Sequence, residues 1–203
     1  MGFAVDSWLA IGIAHVKADR TDACVAAYET LIEKARTSNV HAGPAAVFAS
    51  DNGRRVVTMV GLPGHDEFRH LAAAWDDHHR NAQHRVIAES VSFTLYRVAA
   101  GIAAADIDPA SHDAYVYEHL DRSVPGASAL FSSLGDSPNF RGAAVFSDDG
   151  ATATVILSRF AHLADYDDFR GSPAATNALG SRSAAGESSF AAHPRKTFAL
   201  HPD

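Results

Sequence analysis

The chain repeats itself, and that constrains its fold more than any single motif does. The segment AAVFASDNG at Ala45–Gly53 returns as AAVFSDDG at Ala143–Gly150. Downstream of each copy stands Asp-x-Phe-Arg, as Asp66, Phe68 and Arg69 in the first and Asp167, Phe169 and Arg170 in the second. Upstream of each, an apolar run ends in His15-Val16 or His119-Leu120. The landmarks keep their order at spacings of 104, 98 and 101 residues. Ordered self-similarity of this kind is the mark of internal duplication, so the fold must be one that two similar halves can build together. The expected halves are residues 1–104 and 105–203, joined by a linker at Gly101–Ser111.

Each half reads as the same series of elements. Trp8–Val16 is a short, continuous apolar run, the pattern of a buried strand. Asp19 and Thr21 supply helix-start residues, and Val25, Tyr28, Leu31, Ile32 and Ala35 then follow at helical spacing. Ala45–Ser50 and Arg54–Gly61 are two strands joined by Asp51-Asn52-Gly53, residues suited to the positive φ of a tight hairpin turn. A long helix is expected from about His65 to Glu89, and Val91–Ala100, rich in β-branched and aromatic residues, closes the half as a strand. The order β-α-β-β-α-β is the split, ferredoxin-like motif. The second half follows suit, with strands at Ala114–Leu120, Gly142–Ser147 and Thr152–Phe160. Its helices fall at Ser123–Gly135 and, interrupted, at Asp165–Gly186, and its last strand, Phe190–Leu200, is interrupted by Pro194. Two four-stranded sheets, each with helices on one face, would pack through their open faces.

Composition removes several functions. A net charge of -7 argues against nucleic acid, whose binding needs clustered Lys and Arg. The apolar N-terminal run is too short to span a membrane and is interrupted by Asp6, so a cytoplasmic protein with no membrane partner is expected. Cys24 is the one cysteine, which rules out an intrachain disulfide and a cysteine-based zinc cluster. It lies beside the Val25, Tyr28, Leu31, Ile32 stripe and should be a packing residue rather than a nucleophile. Among the 12 histidines, His78 and His79 diverge by about 100° on a helix, and His84 misses the i, i+4 spacing from His79 that a helical metal site uses.

The topology, the hairpin, the Asp-x-Phe-Arg helix start and the His-rich second helix together resemble the dimeric α+β barrel superfamily. The likeness is to its antibiotic-biosynthesis-monooxygenase-like proteins in a tandem, internally duplicated form. The resemblance implies an α+β fold of two fused ferredoxin-like β-α-β-β-α-β repeats forming an intramolecular dimeric α+β barrel. It also implies a pocket between sheet and helices in each half. Members include cofactor-independent oxygenases of aromatic polyketides, quinol monooxygenases, haem-degrading enzymes and stress proteins. The expected function is therefore a cofactor-independent, monooxygenase-like enzyme acting on an aromatic, polyketide or quinone-type small molecule. The alternatives are a haem-binding or haem-degrading protein, or a non-catalytic small-molecule-binding stress protein. Self-association into a homodimer of the pseudo-dimeric chain stays open.

The two halves are unequal. On a wheel of about 100° per residue with Phe68 at zero, Leu71, Trp75, Ala82 and Val86 form an apolar stripe. His79 falls inside it at about 20°, His78 on its flank, and His70 and His84 on the solvent side. The matching stretch after Phe169, RGSPAATNALGSRS, has neither His nor Trp and carries helix breakers. The first half is thus expected to keep the site, with His79 and Trp75 as catalytic residues: an imidazole base, or a haem ligand if haem is bound, under an indole wall. His78, Tyr96, Phe68 and His15 are the candidate substrate contacts, Tyr96 only if it faces the helices, since Arg97 must then face away. The plain alternatives are a half-buried His79 satisfied by a polar neighbour, a Trp75 that is simply core, and a His15 that closes its strand as His119 does. Arg69 and Arg170 are expected to pair locally with the recurring Asp, which also complements the helix dipole.

Overall fold

A computed structural model describes residues 6–37, 43–80, 82–102, 107–180 and 188–198; the side chains at positions 79, 80, 82, 83, 101 and 102 lie outside that description. The first repeat runs β1 (Trp8–Val16), α1 (Thr21–Thr37), β2 (Ala45–Ser50), β3 (Arg55–Leu62), α2 (His65–Arg80), α3 (Ala82–Arg85) and β4 (Ala88–Ile102). The second runs β5 (Ala114–Leu120), α4 (Ala127–Ser132), β6 (Phe140–Asp148), β7 (Thr154–Phe160), α5 (Leu163–Gly171), α6 (Pro173–Leu179) and β8 (Ser188–Phe198). Both repeats are β-α-β-β-α-β, and the chain is an α+β protein of two fused ferredoxin-like repeats. Among the described residues no helix is long and apolar enough to cross a membrane.

The chain divides into two compact units that share the last strands of the repeats. The first unit holds residues 7–96 and the end of β8 from His193; the second holds the rest of β4 from Arg97 and the chain onward to Ala192. Strand order in the first unit is β4-β1-β3-β2-β8, and in the second β4-β6-β7-β5-β8. The β1/β3, β2/β3, β5/β7, β6/β7 and β5/β8 pairs are antiparallel, with Gly12 opposite Thr58 and Val116 opposite Ser158. Residues 103–106 of the expected linker, and with them the expected boundary, lie outside the described residues.

Local chemistry explains the hairpins. Gly53 has φ of 64°, and a β carbon there would stand 2.9 Å from Thr21 Oγ1. The Thr21 hydroxyl donates to the Gly53 carbonyl at 2.6 Å, which ties the start of α1 to the turn. In the second repeat Asp148 does the work of the turn. Its carboxylate accepts from Thr152 N and Thr152 Oγ1, both at 2.6 Å, and from Ala153 N at 2.8 Å.

The helix-facing side of β1 is built from small residues, Ala10, Gly12 and Ala14, alternating with Leu9, Ile11 and Ile13 on the other face. That leaves room for large rings from the helices above. Val25, Tyr28, Leu31 and Ile32 of α1 and Leu71 and Trp75 of α2 fill it, together with Val56 and Val60 of β3 and Phe198 of β8. In the second unit the core is Val116, Leu120, Phe131, Phe140, Val145, Ile156, Phe160, Tyr166 and Leu179.

Several elements differ from the sequence expectation. The helix expected to run to Glu89 is described as α2 to Arg80 and as α3 from Ala82 to Arg85, residue 81 lying outside the described residues, and β4 begins at Ala88. The helix is over by Arg85, so the wheel does not hold through its last positions. Val86, expected in the apolar stripe, is 57% exposed, and His84, expected toward solvent, is 3% exposed. The helix expected at Ser123–Gly135 shrinks to α4, and β8 runs unbroken through Pro194.

A candidate site in the first unit

A run of stacked rings crosses the space between sheet and helices in the first unit. Phe68 stacks on Phe93 with ring centroids 5.3 Å apart, Phe93 on Trp75 at 4.5 Å, and Trp75 on Tyr28 at 4.9 Å. Tyr28 then meets His84 at 5.8 Å and His84 meets His78 at 4.8 Å. Among the described residues, these rings fill much of the first unit's space in which the resemblance places a pocket.

Among the described residues an opening lies one layer out, between α1 and α2, as a groove of about 350 Å³. Its floor is apolar, from Leu31 and Ala35 of α1 and Leu71 and Ala74 of α2. Its polar rim is Lys34 on α1 and His70, Asp77 and His78 on α2. Leu71, Ala74, Trp75 and His78 stand at i, i+3, i+4 and i+7, one face of α2. The true centre of the stripe is therefore Leu71–Trp75–His78, and the residue read as its flank is the one that meets the groove.

His78 is half-buried, and burial holds its pKa below the usual histidine value, aided by the nearby Lys34 charge. His84 behind it is lowered to about 4, by burial first and then by its proximity to His78. Both imidazoles are therefore neutral at pH 7, and a neutral imidazole is a proton acceptor. Cys24 is fully buried and its thiol is pushed up to about 12 by burial, so it carries almost no thiolate, in keeping with a packing role. Tyr28 is raised for the same first reason. Among the described residues no cluster of three His, Cys, Asp or Glu side chains is placed to hold a metal ion.

The expected site residues separate. The His79 side chain lies outside the described residues, so its place rests on the helix alone. Trp75 is 1% exposed, clamped between Tyr28 and Phe93; it stands behind the groove as core and is no open platform. Phe68 is half-buried against Phe93. Tyr96 is buried, but Phe93 and Leu95 are the β4 residues packed with the helices, so alternation turns Tyr96 to the opposite face. His15 is exposed and, flanked by the helix-facing Ala14 and Val16, also points away from them. Neither Tyr96 nor His15 reaches the groove. Lys34 and His84 were missed: Lys34 because one lysine on an exposed helix position carries no signal, His84 because it stands in the last helical turn before β4, where the wheel no longer holds.

The second unit answers the same positions differently. At the place of Ala14 it has Glu118, whose Oε1 accepts from Arg170 Nε at 2.8 Å with both side chains nearly fully buried. Arg170 also donates to the Gly180 carbonyl at 2.7 Å, and Arg122 donates to that of Leu179. The expected local pair therefore holds only for Arg69, which is 3.3 Å from Asp66 and exposed; Arg170 turns inward to β5 instead. Counting 101 residues on from His78 gives Leu179, fully buried. Where the first unit has an imidazole at a groove, the second has a leucine in its core.

No protein-family profile and no curated protein sequence matches the chain. Solved structures do. An anthrone oxidase-like protein aligns over 100% of this chain and 97% of its own at 13% identity, with a TM-score of 0.76. An inferred monooxygenase from Fusobacterium nucleatum subsp. nucleatum aligns over 96% and 95% at 12% identity, TM-score 0.61. The heme-degrading enzyme of Listeria monocytogenes aligns over 92% and 98% at 8% identity, TM-score 0.50. At these identities the likeness is one of fold, and it spans both repeats.

Proposed function

We propose that the chain is a cofactor-independent oxygenase of a phenolic or quinone-type polycyclic aromatic, working from the first unit's groove with His78 as its base. The observation that carries this reading is a neutral imidazole on the wall of an apolar groove. The full-length likeness to an anthrone oxidase-like protein supports the substrate class. The groove's 350 Å³ lies at the low end of ligand pockets, roughly 300–1,000 Å³, and suits a bicyclic or tricyclic ring.

In such a reaction the substrate supplies the electrons. His78 takes a proton from the benzylic carbon or hydroxyl of an anthrone-type ring, and the resulting electron-rich anion reduces dioxygen. Anthrone and dioxygen become anthraquinone and water, with the proton on His78 returned to the departing oxygen. The protein needs only to hold the ring, exclude water from its apolar face and supply a base, a contribution of roughly 10²–10⁴ in rate.

The haem alternative puts His79 at the iron, and that side chain lies outside the described residues. The metal-free reading is preferred because, among the described residues, Phe68, Phe93, Trp75 and Tyr28 stack in the sheet–helix space and the buried His84 imidazole packs against Tyr28.

Oxygen uptake with anthrone, read above the spontaneous background, tests the proposal. Wild type should consume dioxygen and form anthraquinone one to one, and His78→Gln should lose about 10²-fold or more. His79→Gln, run in parallel, should stay within a few-fold of wild type; a collapse there alone would move the base to His79.

A further inference from the structure

The groove has a direction. Among the described residues that line it, Lys34 is the one lysine or arginine and lies on α1, while His70, Asp77 and His78 lie on α2. Lys34 is close enough to His78 for its charge to be felt there. Between the two helices the floor of Leu31 and Leu71 offers only apolar contact. A flat ring on that floor meets an ammonium along one edge and a neutral base along the other. Asp77 repels an anion from the α2 edge, so a negative substituent has one favourable orientation, toward α1.

We propose that Lys34 makes the groove selective for aromatic substrates that carry an anionic oxygen, a ring carboxylate or an ionised phenol. This rests on the groove being the working site. With the anion held against Lys34, the opposite edge of the ring faces His78, so one contact sets both affinity and orientation. A neutral ring gains the floor and the edge at His78 but not the added attraction of the Lys34 charge. The contact is a charge-assisted hydrogen bond at an exposed lysine beside an apolar surface, and it is weakened by salt.

Calorimetric titration of the full chain at pH 7 tests this with three probes: 1-hydroxy-2-naphthoate, neutral 1-naphthol, and 2,4-dinitro-1-naphthol as an ionised phenol. In wild type the naphthoate should bind about tenfold more tightly than 1-naphthol, a gap that narrows in high salt. Lys34→Met, at an exposed helix position where folding is checked by circular dichroism, should bring the two within about twofold; Lys34→Arg should keep the preference. Tight binding of the dinitronaphthol as well means that any anionic oxygen suffices, and its failure to bind narrows the class to carboxylates. Equal affinity for naphthoate and 1-naphthol in wild type, or an unchanged preference in Lys34→Met, overturns the assignment. Binding is read without turnover, so a failed oxygen-uptake assay leaves this result standing, whereas no binding of any probe removes the groove itself.

Discussion

Trp75 lies across Gly12: a β carbon on that glycine would come within 2.8 Å of Trp75 Cζ2 and 3.2 Å of Phe93 Cδ2. The missing side chain is what lets the largest buried ring of the first unit sit flat on β1. Through that seat it fixes the height of α2 and hence the position of His78 above Leu31. In the second repeat, counting on by the spacing that matches His15 to His119, the place of Gly12 is taken by Val116 and no tryptophan follows.

Gly12→Ala should therefore destabilise the chain although glycine is a poor strand residue and alanine a better one. Overpacking costs about 1–3 kcal/mol. A chain of this size loses roughly 2–4 °C of melting temperature per kcal/mol, so thermal unfolding should show a drop of several degrees. A rise would mean that Trp75 yields freely.

The Glu118–Arg170 pair should behave as buried charges do. Removing one partner leaves the other desolvated, so Arg170→Leu should cost about 3–5 kcal/mol in denaturant unfolding. Glu118→Leu combined with Arg170→Leu should cost less than Arg170→Leu alone. Additive losses would contradict a desolvated pair.

Stability should fall on mild acidification. His84 is held at about 4 against an ordinary 6.5, so between these values the unfolded chain binds the proton and the folded one does not. The stabilisation is complete above about pH 6.5 and is lost as pH falls toward 4. The loss is roughly 1–3 kcal/mol for this group, and His78, shifted in the same direction, adds to it. His84→Phe should flatten the dependence in melts taken from pH 7 to pH 4. For the same reason, the acid limb of the pH–rate profile should lie below the ordinary histidine value.

The end of β8 belongs to the first unit even though the second repeat supplies it. Phe198 is 8% exposed in the first unit's core, Arg36 stands 5.6 Å over its ring, and Arg195 pairs with Asp22 at 2.6 Å. Phe198→Ala should cost about 3–5 kcal/mol, read by denaturant unfolding. Residues 1–104 expressed alone, lacking that strand, should not reproduce the stability of the first unit.

Much of the fold was legible because it was written twice. β1 and β5 were placed to the residue, since a continuous apolar run bounded by polar residues leaves little choice. The site was less legible for three physical reasons. A helix that gives way to a strand at Ala88 with no Gly or Pro to announce its end gives no local warning, which misplaced His84 and Val86. Alternation along β4 says that Tyr96 and Arg97 face opposite ways but not which of them meets the helices, so the face of Tyr96 stayed open in the sequence. Arg170 finds its carboxylate 52 residues away, a pairing visible only as the oddity of Glu118 between Val116 and Leu120 in an apolar strand.

The most direct test is a crystal structure grown anaerobically with anthrone. The account predicts the tricyclic ring between α1 and α2, lying on Leu31 and Leu71 with its reacting edge within hydrogen-bond reach of the His78 imidazole. A ring bound in the second unit near Arg170 and Leu179, or in the first unit beyond the reach of His78, would contradict it.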